Sequence, residues 1–177
     1  MKYITYFTDL THTGAGVNSG GIPLGIGNVA AYAKQQLPEQ LSIELFKFPD
    51  DFNKALEVKI PHFLCMSNAC FNINLSYAFA RYVKEKHPKT VIIFGGPNFP
   101  TEDCEKKDFL KNRPLIDFYI ESEGEIGFVK VLEKLRQYDF NTETLKKAQE
   151  SIVNCCYLSG DHLIQAKIER IKDVNIL

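Results

Sequence analysis

No stretch of the 177 residues approaches the roughly 18 consecutive apolar positions that a membrane span needs. The amino terminus, MKYITYFTDL, has one lysine and a short alternating run, but neither the apolar core nor the small-residue cleavage site of a secretory signal. An excess of either charge is lacking too. The 21 basic and 22 acidic residues leave a formal charge of −1, and no basic run interleaved with aromatics offers a nucleic-acid surface. Cys65, Cys70, Cys104, Cys155 and Cys156 contain no CxxC pair. They form neither a disulfide framework nor a zinc or iron–sulfur site carried wholly by this chain, and they point to a reducing cytoplasm. What the chain has in quantity is apolar material: 45% hydrophobic residues, enough for a substantial core in one domain with or without an appendage.

The rest of the chain is organised around Thr90–Pro100, TVIIFGGPNFP, a β-branched and aromatic run that stops at two glycines and a proline. Such a run suits a strand buried on both faces of a parallel sheet. Gly95 and Gly96 at its end can bring bare backbone close to a ligand, or simply make a tight turn. Lys2–Thr8, Ser42–Phe48, His62–Ser67 and Asp117–Glu121 read as further strands, with the alternating Ser42–Phe48 nearer an edge. Helices are expected over Ile22–Gln36, Asp51–Val58, from Leu75 to Pro88, over Thr101–Lys111, and from Ser122 to about Tyr138. Strand and helix alternate as in βαβ units. The expected fold is α/β: a flavodoxin-like, doubly wound, five-stranded parallel sheet of order 2-1-3-4-5, spanning residues 1–140. Residues 141–177 read as a linker and a β-hairpin appendage, with Ile152–Leu158 and His162–Ile168 around the turn Ser159-Gly160-Asp161.

In such a sheet the loops after strands one, three, four and five converge on one rim, where open α/β sheets bind ligands. Here those loops are Thr8–Gly21, Ser67–Asn74, Gly95–Asn98 and Glu121–Glu125, made of small polar residues and glycine without Lys or Arg. That inventory suits a large polar cofactor gripped through backbone and hydroxyl groups better than general acid–base catalysis, which needs a poised titratable group. Ser122 and Glu125 stand at capping-box spacing, so their segment reads as a helix cap and as a ligand contact. His12, alone in its loop, reads as solvated or as a metal ligand.

Together these residues resemble the cobalamin-binding domain of cobalamin-dependent radical SAM enzymes. Ile22-Pro23-Leu24-Gly25-Ile26-Gly27-Asn28-Val29-Ala30-Ala31-Tyr32-Ala33 is similar to that family's P-x-G-x-x-x-L-A-A-Y-L helix. Ser67, Phe94-Gly95-Gly96-Pro97-Asn98-Phe99-Pro100, and Asp117 through Glu125 continue the match, with Ser122 in place of the first glycine of D-x-x-x-x-G-E-G-E. The resemblance implies a cobalamin held against the strand ends, its nucleotide tail bordered by Thr13, Gly14, Gly21, Pro23 and Gly25. Ser67, Asn68, Gly95, Gly96, Pro97 and Asn98 would line that tail, with Glu121, Gly124 and Glu125 beside it. It implies no cobalt-ligating histidine from this chain, because Asp9-Leu10-Thr11-His12-Thr13-Gly14 departs from the Asp-x-His-x-x-Gly spacing of the broader cobalamin fold. It also implies that the barrel carrying a [4Fe-4S] cluster and S-adenosylmethionine lies outside this chain, which resembles an excised amino-terminal domain without catalysis of its own. A bulky β-branched residue at Gly96 is then expected to abolish cobalamin retention without unfolding the domain.

Three other readings compete with this resemblance. Thr11-His12-Thr13-Gly14 resembles a flavodoxin phosphate loop for FMN, but such a loop runs straight into a helix and Val17–Gly21 intervenes. A response-regulator receiver would need an Asp after strand three and a Lys after strand five, where Ser67-Asn68 and Glu121 stand. A vestigial interaction module with an empty pocket is the third.

Overall fold

A computed structural model of the protein describes residues 2–13 and 21–172. Among these residues the strands are β1 (Tyr3–Thr8), β2 (Leu41–Phe46), β3 (Phe63–Ser67), β4 (Val91–Gly95), β5 (Phe118–Ile120), β6 (Cys155–Ser159) and β7 (His162–Gln165). They form one sheet in the order β2-β1-β3-β4-β5-β6-β7. The first five are parallel and take the expected order 2-1-3-4-5. β2 is the edge strand, half-exposed along its length.

The carboxyl-terminal hairpin differs from expectation. It is no appendage but a continuation of the sheet, with β6 antiparallel to β5 in the register Tyr119↔Cys156 and Ile120↔Cys155. The cause lies in β5, whose three residues are all buried. A strand this apolar needs its outer edge covered, and β6 meets it with buried Cys155, Cys156 and Tyr157. The five cysteines are free.

The helices are α1 (Leu24–Gln36), α2 (Pro49–Val58), α3 (Ile73–Lys86), α4 (Asp103–Lys111), α5 (Gly124–Gln137) and α6 (Thr142–Ala148). They cover both faces of the sheet. Ile26, Ala30 and Ala33 of α1 and Phe128, Leu132 and Leu135 of α5 pack against Phe7, Cys65 and Ile93. On the opposite face Phe52 and Leu56 of α2, Ala80 and Val83 of α3 and Leu110 of α4 pack on Tyr6, Leu64 and Ile92. Each large side chain fully buried this way contributes about 1.5–3 kcal/mol, so β3 and β4, apolar toward both layers, anchor the fold.

Two helix starts bear on the rim. α1 begins at Leu24 with Pro23 in the cap position, leaving Ile22 and Leu24 exposed. α5 begins at Gly124 with Glu123 in the cap position, and no side chain caps it. The capping box read at Ser122 and Glu125 does not form. Ser122 instead takes a left-handed φ of +58°, the conformation a glycine adopts without steric cost. Among the described residues no helix is long and apolar enough to cross a membrane.

Candidate functional site

Parallel pairing sets Ser67 of β3 level with Gly95 of β4, and Gly95 level with Ile120 of β5. Three strands therefore end on one line, and a cavity of about 260 Å³ opens above it. Phe7, Cys65, Ile93 and Phe128 form its apolar floor, and Gly25, Ile26 and Val29 of α1 form one wall. The rim is Ser67, Gly95, Gly96, Pro97, Ser122, Gly124 and Glu125. Among the described residues no basic side chain lines it, and Glu125 is its one carboxylate. Burial pushes the Cys65 thiol well up, so the floor carries no charge.

Seven of the residues expected at a site thus meet here: Gly25, Ser67, Gly95, Gly96, Pro97, Gly124 and Glu125. Asn68 and Asn98 lie behind the rim and hold it in shape. The Asn68 amide N–H donates to the Gly95 carbonyl (2.6 Å), and that of Asn98 donates to the Asn68 carbonyl (3.2 Å). The two side chains lock together: Asn68 Nδ2 donates to the Asn98 carbonyl (2.6 Å), and Asn98 Nδ2 to Asn68 Oδ1 (3.1 Å). Tyr119 completes this knot. Its Oη accepts from Asn68 Nδ2 (2.8 Å) and donates to the Gly96 carbonyl (2.9 Å), while its ring stacks on Phe99 at 3.7 Å.

The knot draws Gly96 against Asn68. A Cβ on Gly96 would sit 2.6 Å from the Asn68 carbonyl oxygen, and its φ is +125°. A β-branched residue there therefore displaces the turn itself, which corrects the expectation of a substitution that spares the fold. Gly25 is the better probe. A Cβ there meets nothing within 4 Å, and the residue lines the cavity.

The other expected residues lie elsewhere. Glu121 is tied to Lys106 of α4 at 2.7 Å, both side chains nearly buried, and does not line the cavity. Thr13, Gly21 and Pro23 do not line it either, and Gly14 falls outside the described residues. His12 donates from Nε2 to the Phe71 carbonyl (2.8 Å). Sequence reasoning missed the floor and Tyr119. Apolar strand residues read only as core, and a tyrosine inside a strand carries no sign that its hydroxyl sets the turn after the neighbouring strand.

No protein-family model matches the chain. Over 116 residues, 63% of its length, it is 30% identical to the 2-(S-pantetheinyl)-carbapenam-3-carboxylate methyltransferase of Streptantibioticus cattleyicolor. Over 72 residues, 41% of its length, it is 29% identical to the cobalamin-dependent radical SAM methyltransferase TokK of Streptomyces tokunonensis. These matches span only 16% and 10% of the two relatives. Among solved structures, the cobalamin-dependent S-adenosylmethionine radical enzyme OxsB with aqua-cobalamin and S-adenosylmethionine bound aligns over 96% of this chain, with a TM-score of 0.69 at 15% identity. Apo OxsB aligns over 97% with a TM-score of 0.62, and each alignment takes up 23% of the OxsB chain. At that identity the structural likeness is one of fold. The resemblance read from the sequence motifs is borne out: the chain is similar, in sequence and in fold, to cobalamin-dependent radical SAM enzymes.

Proposed function

We propose that this chain is the cobalamin-binding domain of a radical SAM enzyme, and that the cavity at the strand ends receives the nucleotide side arm of the corrinoid. The observation that carries the reading is the convergence of Ser67, Gly95, Gly96 and Gly124, from three separate strand ends, on one cavity with an uncharged floor. The residues present fit the group. A flat apolar base matches the floor of Phe7, Ile93 and Phe128, and the open space over Gly25 leaves room for it. The Ser67 and Ser122 hydroxyls and the backbone of the Gly95–Gly96 turn serve the ribose and phosphate, and Glu125 accepts hydrogen bonds from carboxamide side chains. Thr13, Gly21 and Pro23 border the arm outside the cavity.

Cobalamin, when bound, supplies a cobalt centre able to carry and hand on an alkyl group. This chain's own residues bind and orient. None of those lining the cavity is poised to move a proton on a substrate, and no cobalt ligand is assigned to His12. The reading places a radical SAM barrel, with its [4Fe-4S] cluster and S-adenosylmethionine, in the longer protein. That protein would work in a reducing cytoplasm, and methyl transfer would be its reaction. An FMN site is disfavoured, because α1 starts at Leu24, far along the chain from β1, and no basic side chain among the described residues lines the cavity to meet a phosphate dianion.

The test is gel filtration of the purified protein mixed with hydroxocobalamin. Co-eluting red protein, lost in a Gly25→Phe variant whose side chain fills the cavity, supports the proposal. Colourless protein overturns it in favour of an empty interaction module, and protein yellow as isolated overturns it in favour of a flavin.

A further inference from the structure

Asn154, between α6 and β6, is 1% exposed and has a left-handed φ of +54°. It joins three segments. Its carbonyl accepts the Glu121 N–H (2.8 Å), and its Nδ2 donates to the Glu123 carbonyl (3.3 Å). The same Nδ2 donates to the Glu169 carbonyl (2.8 Å), while Oδ1 accepts the Glu169 N–H (2.6 Å). The side chain thus grips both backbone polar groups of one residue, Glu169, in the segment 166–172, as a neighbouring strand would.

That segment has no regular secondary structure, and residues 167–170 are exposed. Among the described residues its hydrogen bonds are the pair to Asn154 and a longer contact from Arg170 to Glu123 at 3.5 Å. Both ties end on the same turn. Glu121 and Glu123 alternate with Ser122 and Gly124, and the latter two line the cavity. An exposed strap with so few bonds opens at little cost, so whatever steadies the turn that anchors it changes how often it opens.

We propose that Asn154 is a latch coupling the strap 166–172 to the rim of the cavity, so that a filled cavity and a docked strap stabilise each other. This regulation rests on reading the cavity as a cofactor site. Coupling is reciprocal: a ligand that orders residues 121–125 protects the strap, and a released strap loosens residues 121–125.

Trypsin reads the strap at Lys167 and Arg170, and hydrogen exchange followed by mass spectrometry reads the rim. Asn154→Gly keeps the left-handed backbone and removes the amide. Of the three hydrogen bonds lost, the two to Glu169 held the strap, and their loss should speed cleavage at Lys167 and Arg170 by about tenfold. Glu169→Pro takes away the N–H that Asn154 accepts and alters nothing in the rim. Faster exchange in peptides spanning residues 121–125 of that variant is expected, and unchanged exchange overturns the latch. Hydroxocobalamin should slow cleavage of the unmodified protein by about fivefold or more. Protein that takes up cobalamin with no change in cleavage also overturns the latch. Protein that takes up none refutes the cofactor reading instead, and the Glu169→Pro exchange experiment still decides the latch.

Discussion

Replacing Tyr119 with Phe removes one oxygen and leaves the ring free to keep its stack on Phe99. The consequence falls on the turn at Gly96. Its carbonyl loses the 2.9 Å hydrogen bond from Tyr119 Oη, and Asn68 Nδ2 loses its 2.8 Å bond to that oxygen while keeping the one to the Asn98 carbonyl. One orphaned acceptor and one orphaned N–H in the knot together cost about 2–4 kcal/mol. For a chain of this length that is a fall in Tm of about 5–12 °C. Burial pushes the Tyr119 phenol up, so the hydroxyl is neutral and the loss should not depend on pH between 6 and 9. Thermal unfolding followed by circular dichroism gives the Tm, and the gel-filtration assay gives cobalamin retention, which should weaken because the Gly96 turn is no longer pinned. A variant with unchanged Tm and unchanged retention would refute the argument that this hydroxyl shapes the rim.

Three further outcomes are expected. Gly127→Ala should lower the urea midpoint by the equivalent of about 1–3 kcal/mol, because its Cβ would lie 2.5 Å from Ile120 Cγ2 and 3.0 Å from the Asn154 carbonyl oxygen; an unchanged midpoint would show that α5 does not sit this close. Ser122→Gly should raise stability by about 0.5–1 kcal/mol by relieving the left-handed φ of +58°, and a lower Tm would contradict that strain. His62 Nδ1 accepts the Ile4 N–H at 3.0 Å, and burial, then the charge of Lys59, lower its pKa. The unfolded chain therefore binds the proton more readily, so this stabilisation is complete above the unfolded pKa of about 6.5 and is lost as pH falls below it toward the folded value. Denaturant midpoints between pH 7.5 and 5 should fall less steeply in His62→Gln than in the unmodified protein, and equal slopes would remove His62 from the account.

Most of the architecture was legible because it rests on period and punctuation. Val91–Gly95 reads as a strand from its unbroken apolar run, and Pro38 and Pro88 mark where helices must stop. The hairpin was legible as two strands but not as an extension of the sheet, because pairing β6 to β5 is a long-range choice driven by the need to cover Phe118–Ile120. At the rim, glycine and serine after strands three, four and five were visible as small residues at strand ends. Which of the polar neighbours face the cavity was not. Asn68, Asn98 and Glu121 have the composition of ligand contacts, yet two hold a turn from behind and the third is taken by Lys106. Alternation along a strand predicts such facing only while the strand lasts, and these residues lie just past its end.

The central claim is that the cavity holds the nucleotide arm of a corrinoid, and titration calorimetry with cobalamin and with cobinamide, which lacks that nucleotide, tests it most directly. Burying the base against Phe7, Ile93 and Phe128 is worth on the order of 3 kcal/mol, so cobinamide should bind about a hundredfold more weakly. Equal affinity for the two, or none for cobalamin, would contradict it.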